Sequence, residues 1–561
     1  MKRLTSAAVA VALTALAVSA VPASSEPNET KASSGLFNSH LSQSVLFHQA
    51  LAHPDQAPAN LRDSVTTARQ LTKTATAQRT GGSAAASIAG SGLVADLFNK
   101  DDIGLPQNEE SVTACGNQSS IVEGGTNDYR GLLDPQGNFT GWYFSTDGGR
   151  TVRNEGLLPA LNVGGATLPS GGDPVSQSDD ACNIYMASLN YGSDSFDTGS
   201  NGIGLYKSNP KTLANCPQGQ DPDNLTHPSC WPKRRLVATT GVVGGVGNFL
   251  DKEWFDVGRS GKAGNVVWVT YSDFALDPNA DLGFTGAQIK AVRCDANLVK
   301  CTQPILISGT DADIQFSDVT ISDTGATLIT WTQIEGELEQ TAQTFTVKAR
   351  IAPPGSTKFG PTRIVSRETN PIPFGGALHA NDFRVATYSK SIMPTVNGKP
   401  RPTVVYDRCR YRVFDTICEE PEIVMTSSRD NGRTWSKPRT ISSGGDNYFP
   451  AISDETGNPR FVVAYYTSRF DPIFHNRQDV EMVTINPATG GITKRQRVTP
   501  VSNETEADPL LGGFFIGDYI DVHLAGAKAY VHYNANYRSV ALLGQGVPIP
   551  QQDNYLTTVR P

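Results

Sequence analysis

The sequence predicts an all-β protein, a β-propeller of about seven four-stranded blades, with six as the alternative count. Three observations predict it. Short runs of β-branched and aromatic residues recur along the chain, bounded by Gly, Asp and Asn. Their spacing, roughly 60 to 80 residues, lies near the periods of propeller repeats lengthened by loop insertions. One turn pattern occurs twice, far apart: Ser428-Arg429-Asp430-Asn431-Gly432-Arg433-Thr434-Trp435, and Ser145-Thr146-Asp147-Gly148-Gly149-Arg150-Thr151, where Val152 replaces Trp. The competing all-β arrangement is a pair of sandwiches. Helical solenoids are disfavoured by the lack of helical periodicity over most of the chain.

Taken in order, Met1-Lys2-Arg3 is a basic start, Ala7 to Ala20 is apolar, and small residues follow. Residues 1–23 read as a secretory signal peptide, too short for a membrane span, so an exported protein is expected. Residues 24–105 form a leader rich in Ala, Ser, Thr and Gln. Within it Leu41 to Leu51 and Leu61 to Leu71 have the pattern of short amphipathic helices, and Arg79 to Gly92 reads as a linker. A loosely structured leader is expected, and a pro-segment is compatible with it.

Residues 106–561 carry the repeats. Each unit contains one very apolar strand: Ser120 to Gly124, Ile184 to Leu189, Val266 to Tyr271, Thr327 to Trp331, Thr403 to Tyr406, Phe461 to Tyr466 and Ala529 to Tyr533. Each is read as the second strand of a blade. The first and last units can share a ring-closing blade, which is why six remains an alternative.

The chain carries 47 Lys and Arg against 55 Asp and Glu, a net charge of −8, which makes no case for nucleic acid or an anionic membrane as partner. Eight cysteines in an exported chain favour disulfides. Sequence alone leaves about a hundred connectivities. Locality suggests Cys216 with Cys230, Cys294 with Cys301 and Cys409 with Cys418, which leaves Cys115 and Cys182 to tie neighbouring repeats. No C-x-x-C pair exists, and His227 is the only histidine beside a cysteine, so no metal site is assigned. No cofactor is expected. Calcium is conceivable from the many loop aspartates, but no loop has EF-hand spacing. A monomer is expected.

The two turns resemble the Asp-box, S-x-D-x-G-x-T-W, of the sialidase-like propellers, also called bacterial neuraminidase repeat proteins. Ser428, Asp430, Gly432, Thr434 and Trp435 match at every position; Ser145, Asp147, Gly149 and Thr151 match all but the Trp. Asp251-Lys252-Glu253-Trp254 and Gly517-Asp518-Tyr519 also resemble stretches of secreted bacterial members. The resemblance spans about residues 109 to 561 and implies a propeller whose Asp-boxes are structural. The family includes sialidases, other glycosidases and non-catalytic binders, so both an exo-glycosidase and a carbohydrate- or protein-binding propeller stay open.

Propeller geometry separates turn from site. The turn between third and fourth strands lies on one face. Residues before first strands and after second strands gather on the other, at the mouth of the axis. These include Asp128, Tyr129, Arg130, Asp173, Asp251, Lys252, Glu253, Asp273, Glu335, Asp382, Arg384, Asp407, Arg408, Arg469, Asp518, Tyr519, Tyr537 and Arg538. Charges of both signs converging on one funnel suit a polar ligand such as a glycan. Active sialidases, by this resemblance, use three arginines on the substrate carboxylate, an Asp acid/base, and a Tyr nucleophile with a Glu. Candidate holders are Asp128 or Asp273 as acid/base, Tyr519 or Tyr537 with Glu253 as nucleophile and partner, and Arg384, Arg469 and Arg130 or Arg408 for the carboxylate. Asp251, Asp382, Asp518 and Arg538 complete the candidate binding set. The competing assignment for these charges is salt bridging between blades. His379, His523 and His532 qualify on residue type alone, and His532, inside an apolar strand, reads as a core histidine.

Overall fold

A computed structural model describes residues 40–80, 91–92 and 96–561, apart from 193–194, 196–199, 222, 241–246, 262–263, 278–279, 281–282, 310–312, 337–341, 372–377, 379, 382, 414–416, 512–514 and 545–546. The expected signal peptide and the candidates His379 and Asp382 lie outside the described residues.

Seven antiparallel sheets form a seven-bladed β-propeller. Blade 1 contains Gln107–Cys115, Gln118–Asp128, Thr140–Ser145 and Asn154–Leu157. Blades 2, 3 and 4 begin at Ser170–Ser178, Asn248–Arg259 and Ile314–Ile321; blades 5, 6 and 7 begin at Lys390–Ile392, Asn447–Ser453 and Asp521–Ala525. Every apolar run read as a second strand is one. In blade 1, for example, alternation places Val122 on one face and Ile121 on the other, both buried. A second strand packed between neighbouring blades is covered on both faces, which is why these runs are continuously apolar.

The ring closes with residues from the segment read as leader. Phe98 N–H donates to the Asn554 carbonyl at 2.9 Å, and Leu556 N–H donates to the Asp96 carbonyl at 2.8 Å. Residues 96–98 thus lie outside Ile549–Val559 of blade 7, and Ser91–Gly92 pair with Arg538 and Ser539. Strands from both ends of the chain in one sheet remove the open edge that a linear array would leave.

Neighbouring blades are stitched by carboxylates on first strands. Asp256 accepts from Ile321 N–H at 2.6 Å, Asp318 from Ser391 N–H at 2.7 Å, and Asp521 from Val112 N–H at 3.0 Å. Four disulfides join Cys115 to Cys182, Cys216 to Cys230, Cys294 to Cys301 and Cys409 to Cys418, as locality suggested. The first links blades 1 and 2.

The two Ser-x-Asp-x-Gly-x-Thr turns join third to fourth strands in blades 1 and 5 and share one hydrogen-bond pattern. Ser145 Oγ donates to Asp147 at 2.8 Å and accepts from Gly149 N–H at 3.0 Å; Ser428 Oγ donates to Asp430 at 2.8 Å and accepts from Gly432 N–H at 2.8 Å. Asp147 and Asp430 each accept from the backbone N–H and hydroxyl of the Thr four residues on. Gly149 and Gly432 sit at φ 81° and 78°, where a side chain is strained, and both lie against the preceding blade's third strand, on Leu556 and Ile351.

The leader folds into two helices. Helix α1 is Gln43–Ala52 and helix α2 is Ala59–Thr80. Leu61, Val65 and Ala68 of α2 are buried at helical spacing, as the amphipathic pattern predicted. Pro54 and Pro58 lie between the two helices, and Pro58 supplies the carbonyl that opens α2. What the pattern did not reveal is where they dock: α1 lies over the mouth of the axis, with Phe47 edge-on to Tyr129 at 5.2 Å and His48 edge-on to Phe139 at 4.4 Å.

Candidate functional site at the mouth of the axis

A repeated backbone feature builds the mouth. In blades 1, 2, 3, 4 and 6 the pairing of first and second strands skips a step just after the strand begins. At each skip one non-glycine residue has positive φ: Glu109 at 59°, Asp173 at 54°, Lys252 at 55°, Phe316 at 57° and Phe449 at 51°. Bulky residues rarely adopt this conformation. Such bulges re-aim side chains beside binding sites, and their strain persists only where surroundings hold it. Here they turn Asp173, Lys252 and Phe316 toward a shared cavity on the axis, together with Glu253, Trp254, Tyr388, Lys390, Asp518 and Tyr519.

The centre of this cluster is an ion pair. Arg384 Nε donates to Asp518 Oδ1 at 2.9 Å, a second contact joins Nη2 to Oδ2, and Lys252 Nζ lies 3.7 Å from the same carboxylate. Around it the carboxyls are driven apart. Burial would raise Asp518, but the Arg384 and Lys252 charges outweigh it and hold it below its usual value. Burial, reinforced by Asp251, pushes Asp173 up to about 7. Burial, then the neighbouring Asp173, raises Glu253 well above the usual range, and neither of its carboxyl oxygens has a hydrogen-bond partner among the described residues. Burial and the charges of Asp173 and Asp518 raise Glu109. Tyr519 donates to the Pro174 carbonyl at 2.8 Å and stands edge-on to Trp254 at 5.6 Å; burial raises its phenol well above its usual value. Burial lowers Lys390 to about 7 against the opposing pull of Asp318 and Asp521.

Several sequence candidates lie elsewhere. Asp128 is fully buried within blade 1, bound by the Arg130 guanidinium and by Tyr143 OH at 2.8 Å, while Arg130 also donates to Glu155 at 2.9 Å. Asp273 pairs with Lys290 and accepts from Asn248 at 2.8 Å. Arg408 pairs with Glu422 at 2.8 Å, Arg469 with Glu481, and Arg538 with Asp553 at 2.9 Å. Asp173, Asp251, Lys252, Glu253, Arg384, Asp518 and Tyr519 are the candidates that the structure brings together. Glu109 and Lys390 join them without having been singled out. The signal that finds both is position, since each lies at or near the beginning of a blade's first strand. His532 is fully buried, its Nδ1 2.8 Å from the Ser111 carbonyl, which is the core role expected of it.

A larger cavity of about 670 Å³ opens at the far end of the axis, lined by Asp256, Asp318 and Asp521 among others. Those three carboxylates already accept blade-linking backbone bonds. Among the described residues no group of three His, Cys, Asp or Glu is placed to hold a metal ion, and no helix is long and apolar enough to cross a membrane.

No protein-family profile and no curated protein matches the chain. Among solved structures it is similar to an α-L-arabinanase of Penicillium chrysogenum, with 13% identity, a TM-score of 0.40, and coverage of 67% of this chain and 94% of that one. It is similar to an α-L-arabinofuranosidase of Fusarium graminearum, with 11% identity, a TM-score of 0.41, and coverage of 71% and 98%. A Hadza microbial sialidase matches at 9% identity and a TM-score of 0.38, covering 75% and 73%. At these scores the likeness carries no functional argument; the propeller assignment stands on the seven sheets.

Proposed function

We propose that the protein is an exported propeller of the sialidase-like, Asp-box type that acts on glycans at the axial mouth as a glycoside hydrolase. The observation that carries this reading is the separation of carboxyl behaviour within one cavity. Asp518 is held ionised while Asp173 is pushed to about 7 and Glu253 is raised. Carboxyls tuned in opposite directions are what acid and base steps at a glycosidic bond require. In this reading Asp173 is the acid/base. Tyr519 and Glu253 stand on the wall of the same cavity, and Glu253, kept protonated by burial, is placed there as a proton donor. Arg384 and Lys252 orient the ligand's acceptor oxygens. The two Asp-box turns serve the architecture, since each spends its polar groups on its own backbone. Export is supported by the basic-apolar start of the chain and by the disulfides.

The test is hydrolysis of a panel of aryl glycosides, a sialoside included, by the full chain and by the opened variant described below. Glu253→Gln and Tyr519→Phe are expected to lower kcat by several orders of magnitude with the melting temperature kept within a few degrees. Activity unchanged in both variants would remove them from the mechanism.

One observation favours the second reading, a non-catalytic binding propeller. Arg130, Arg384, Arg408, Arg469 and Arg538 each already hold a carboxylate of their own. Binding on a glycan array that Lys252→Ala abolishes, with every substrate of the panel left intact, supports that reading.

A further inference from the structure

The mouth is already occupied by the chain itself. Ser42 N–H donates to Asp251 Oδ2 at 2.7 Å, and Ser44 Oγ donates to Asp173 Oδ1 at 2.7 Å. The Leu41 carbonyl accepts from Arg384 Nη1 at 2.8 Å. His40 Nε2 lies 3.2 Å from Asp313, and His48 Nδ1 lies 2.7 Å from Tyr191 OH. Within a few residues the segment thus offers two donors to two carboxylates and one acceptor to a guanidinium. Beneath it only roughly 30 Å³ remains in the cavity that Glu253 and Tyr519 line. That holds a water or two and no sugar ring.

We propose that Leu41 to Ala52 is an intramolecular plug, a self-ligand that closes the mouth and must leave before an external ligand can enter. This rests on the reading that the mouth is the site.

The composition of the segment argues for a releasable contact. A helix that belongs permanently to a core buries apolar side chains, and Val45, Leu46, Phe47 and Ala50 do so. Yet Ser42, Gln43, Ser44 and Gln49 are buried beside them, and the Oε1 atoms of Gln43 and Gln49 find no partner among the described residues. Burying such groups unpaired is costly, so the docked state is weaker than its area suggests. The Ser42 side chain caps none of the free backbone N–H groups of α1, which leaves the helix without the cap that would support it alone. The polar groups it does satisfy belong to the site: Asp173, Asp251 and Arg384. The propeller ring, by contrast, closes through residues 96–98 and the blade-linking carboxylates, none of which involve α1.

The full chain tests this through Leu46→Asp, which places a charge under α1, and Ser44→Ala, which removes one bond to Asp173. The probe is water-soluble carbodiimide with glycine ethyl ester, and labelling of Asp173 and Asp251 is read by peptide mass spectrometry. Labelling is expected to rise severalfold in Leu46→Asp while the main melting transition stays within a few degrees. Ser44→Ala is expected to raise it by about fivefold, the worth of one buried hydrogen bond. Unchanged labelling in a folded Leu46→Asp protein overturns the plug. If Leu46→Asp does not fold, hydrogen exchange of the wild type decides. Amides of 43–52 exchanging faster than the blade strands support the plug, and equal protection overturns it. Labelling that rises without hydrolysis or binding of any glycan upholds the plug and rejects the glycan reading.

Discussion

Arg384 and Asp518, contributed by the segments that lead into blades 5 and 7, form a two-contact ion pair with both side chains about 4% exposed. The same guanidinium reaches the Leu41 carbonyl. One side chain therefore ties two blades and the plug together. Arg384→Ala leaves the Asp518 charge buried with Lys252 as its remaining cation. A loss of about 3–5 kcal/mol is expected for breaking a buried pair from one side. Denaturant melts check the stability, and hydrogen exchange of 43–52 checks the looser plug. A drop in stability without faster exchange there assigns Arg384 to the blades alone.

The disulfides differ in what they constrain. Cys115–Cys182 spans 67 residues across two blades, and Cys294–Cys301 spans 7 within one turn. Loop entropy predicts a loss of about 4 kcal/mol for the first pair changed to Ala and about 2 kcal/mol for the second. Thermal melts of the two double variants check the order, which a greater loss for the short loop would reverse.

Stability should fall as pH rises from about 6.5 to 8. Burial pushes Asp101, Asp173, Asp256, Asp407, Asp454 and Asp521 up to about 7. Their folded values exceed the unfolded ones, so between about 4 and 7 the folded state holds more protons. Stability is then highest at the acid end of that window and declines as pH rises through the folded value. His48, His523 and His532, lowered by burial to about 4, act in the opposite sense, but only between about 4 and 6.5. Above 6.5 the six carboxyls outnumber the one opposing group, Lys390, which burial lowers to about 7. Melting temperatures from pH 6.5 to 8 test the sign, and a rise with pH would contradict it.

Asp430 is half-buried, and its side chain serves the turn. Bonds from the Thr434 hydroxyl and N–H pull its carboxyl down to about 2. Asp430→Ala and Asp147→Ala should each lower the melting temperature and leave glycan binding or hydrolysis unchanged. Loss of function in a variant that melts normally would move the chemistry to that face.

The blade plan was legible because it is local. Seven apolar runs, such as Val266 to Tyr271 and Phe461 to Tyr466, carry their own strand propensity. The turns at Ser145 and Ser428 close through bonds within seven residues. Much of the site was legible for the same reason: Asp173, Asp251, Lys252, Glu253, Arg384, Asp518 and Tyr519 sit where first strands begin. Glu109 escaped notice because nothing beside it in the chain distinguishes a bulged residue from an ordinary one, and Lys390 because its partners Asp318 and Asp521 lie in other blades.

By itself, the sequence determined the second strand of each blade, the turns and the near disulfides, because those depend on neighbours within a few residues. Only the tertiary structure decided which charges meet. Asp128 and Arg130 neutralise each other within blade 1, whereas Arg384 finds Asp518 more than a hundred residues away. It also decided that residues 96–98 close the ring and that Ser42 and Ser44 lie on Asp251 and Asp173. These contacts join chain ends to the axis, and their free energy comes from burial and charge pairing between distant segments, which no local pattern encodes.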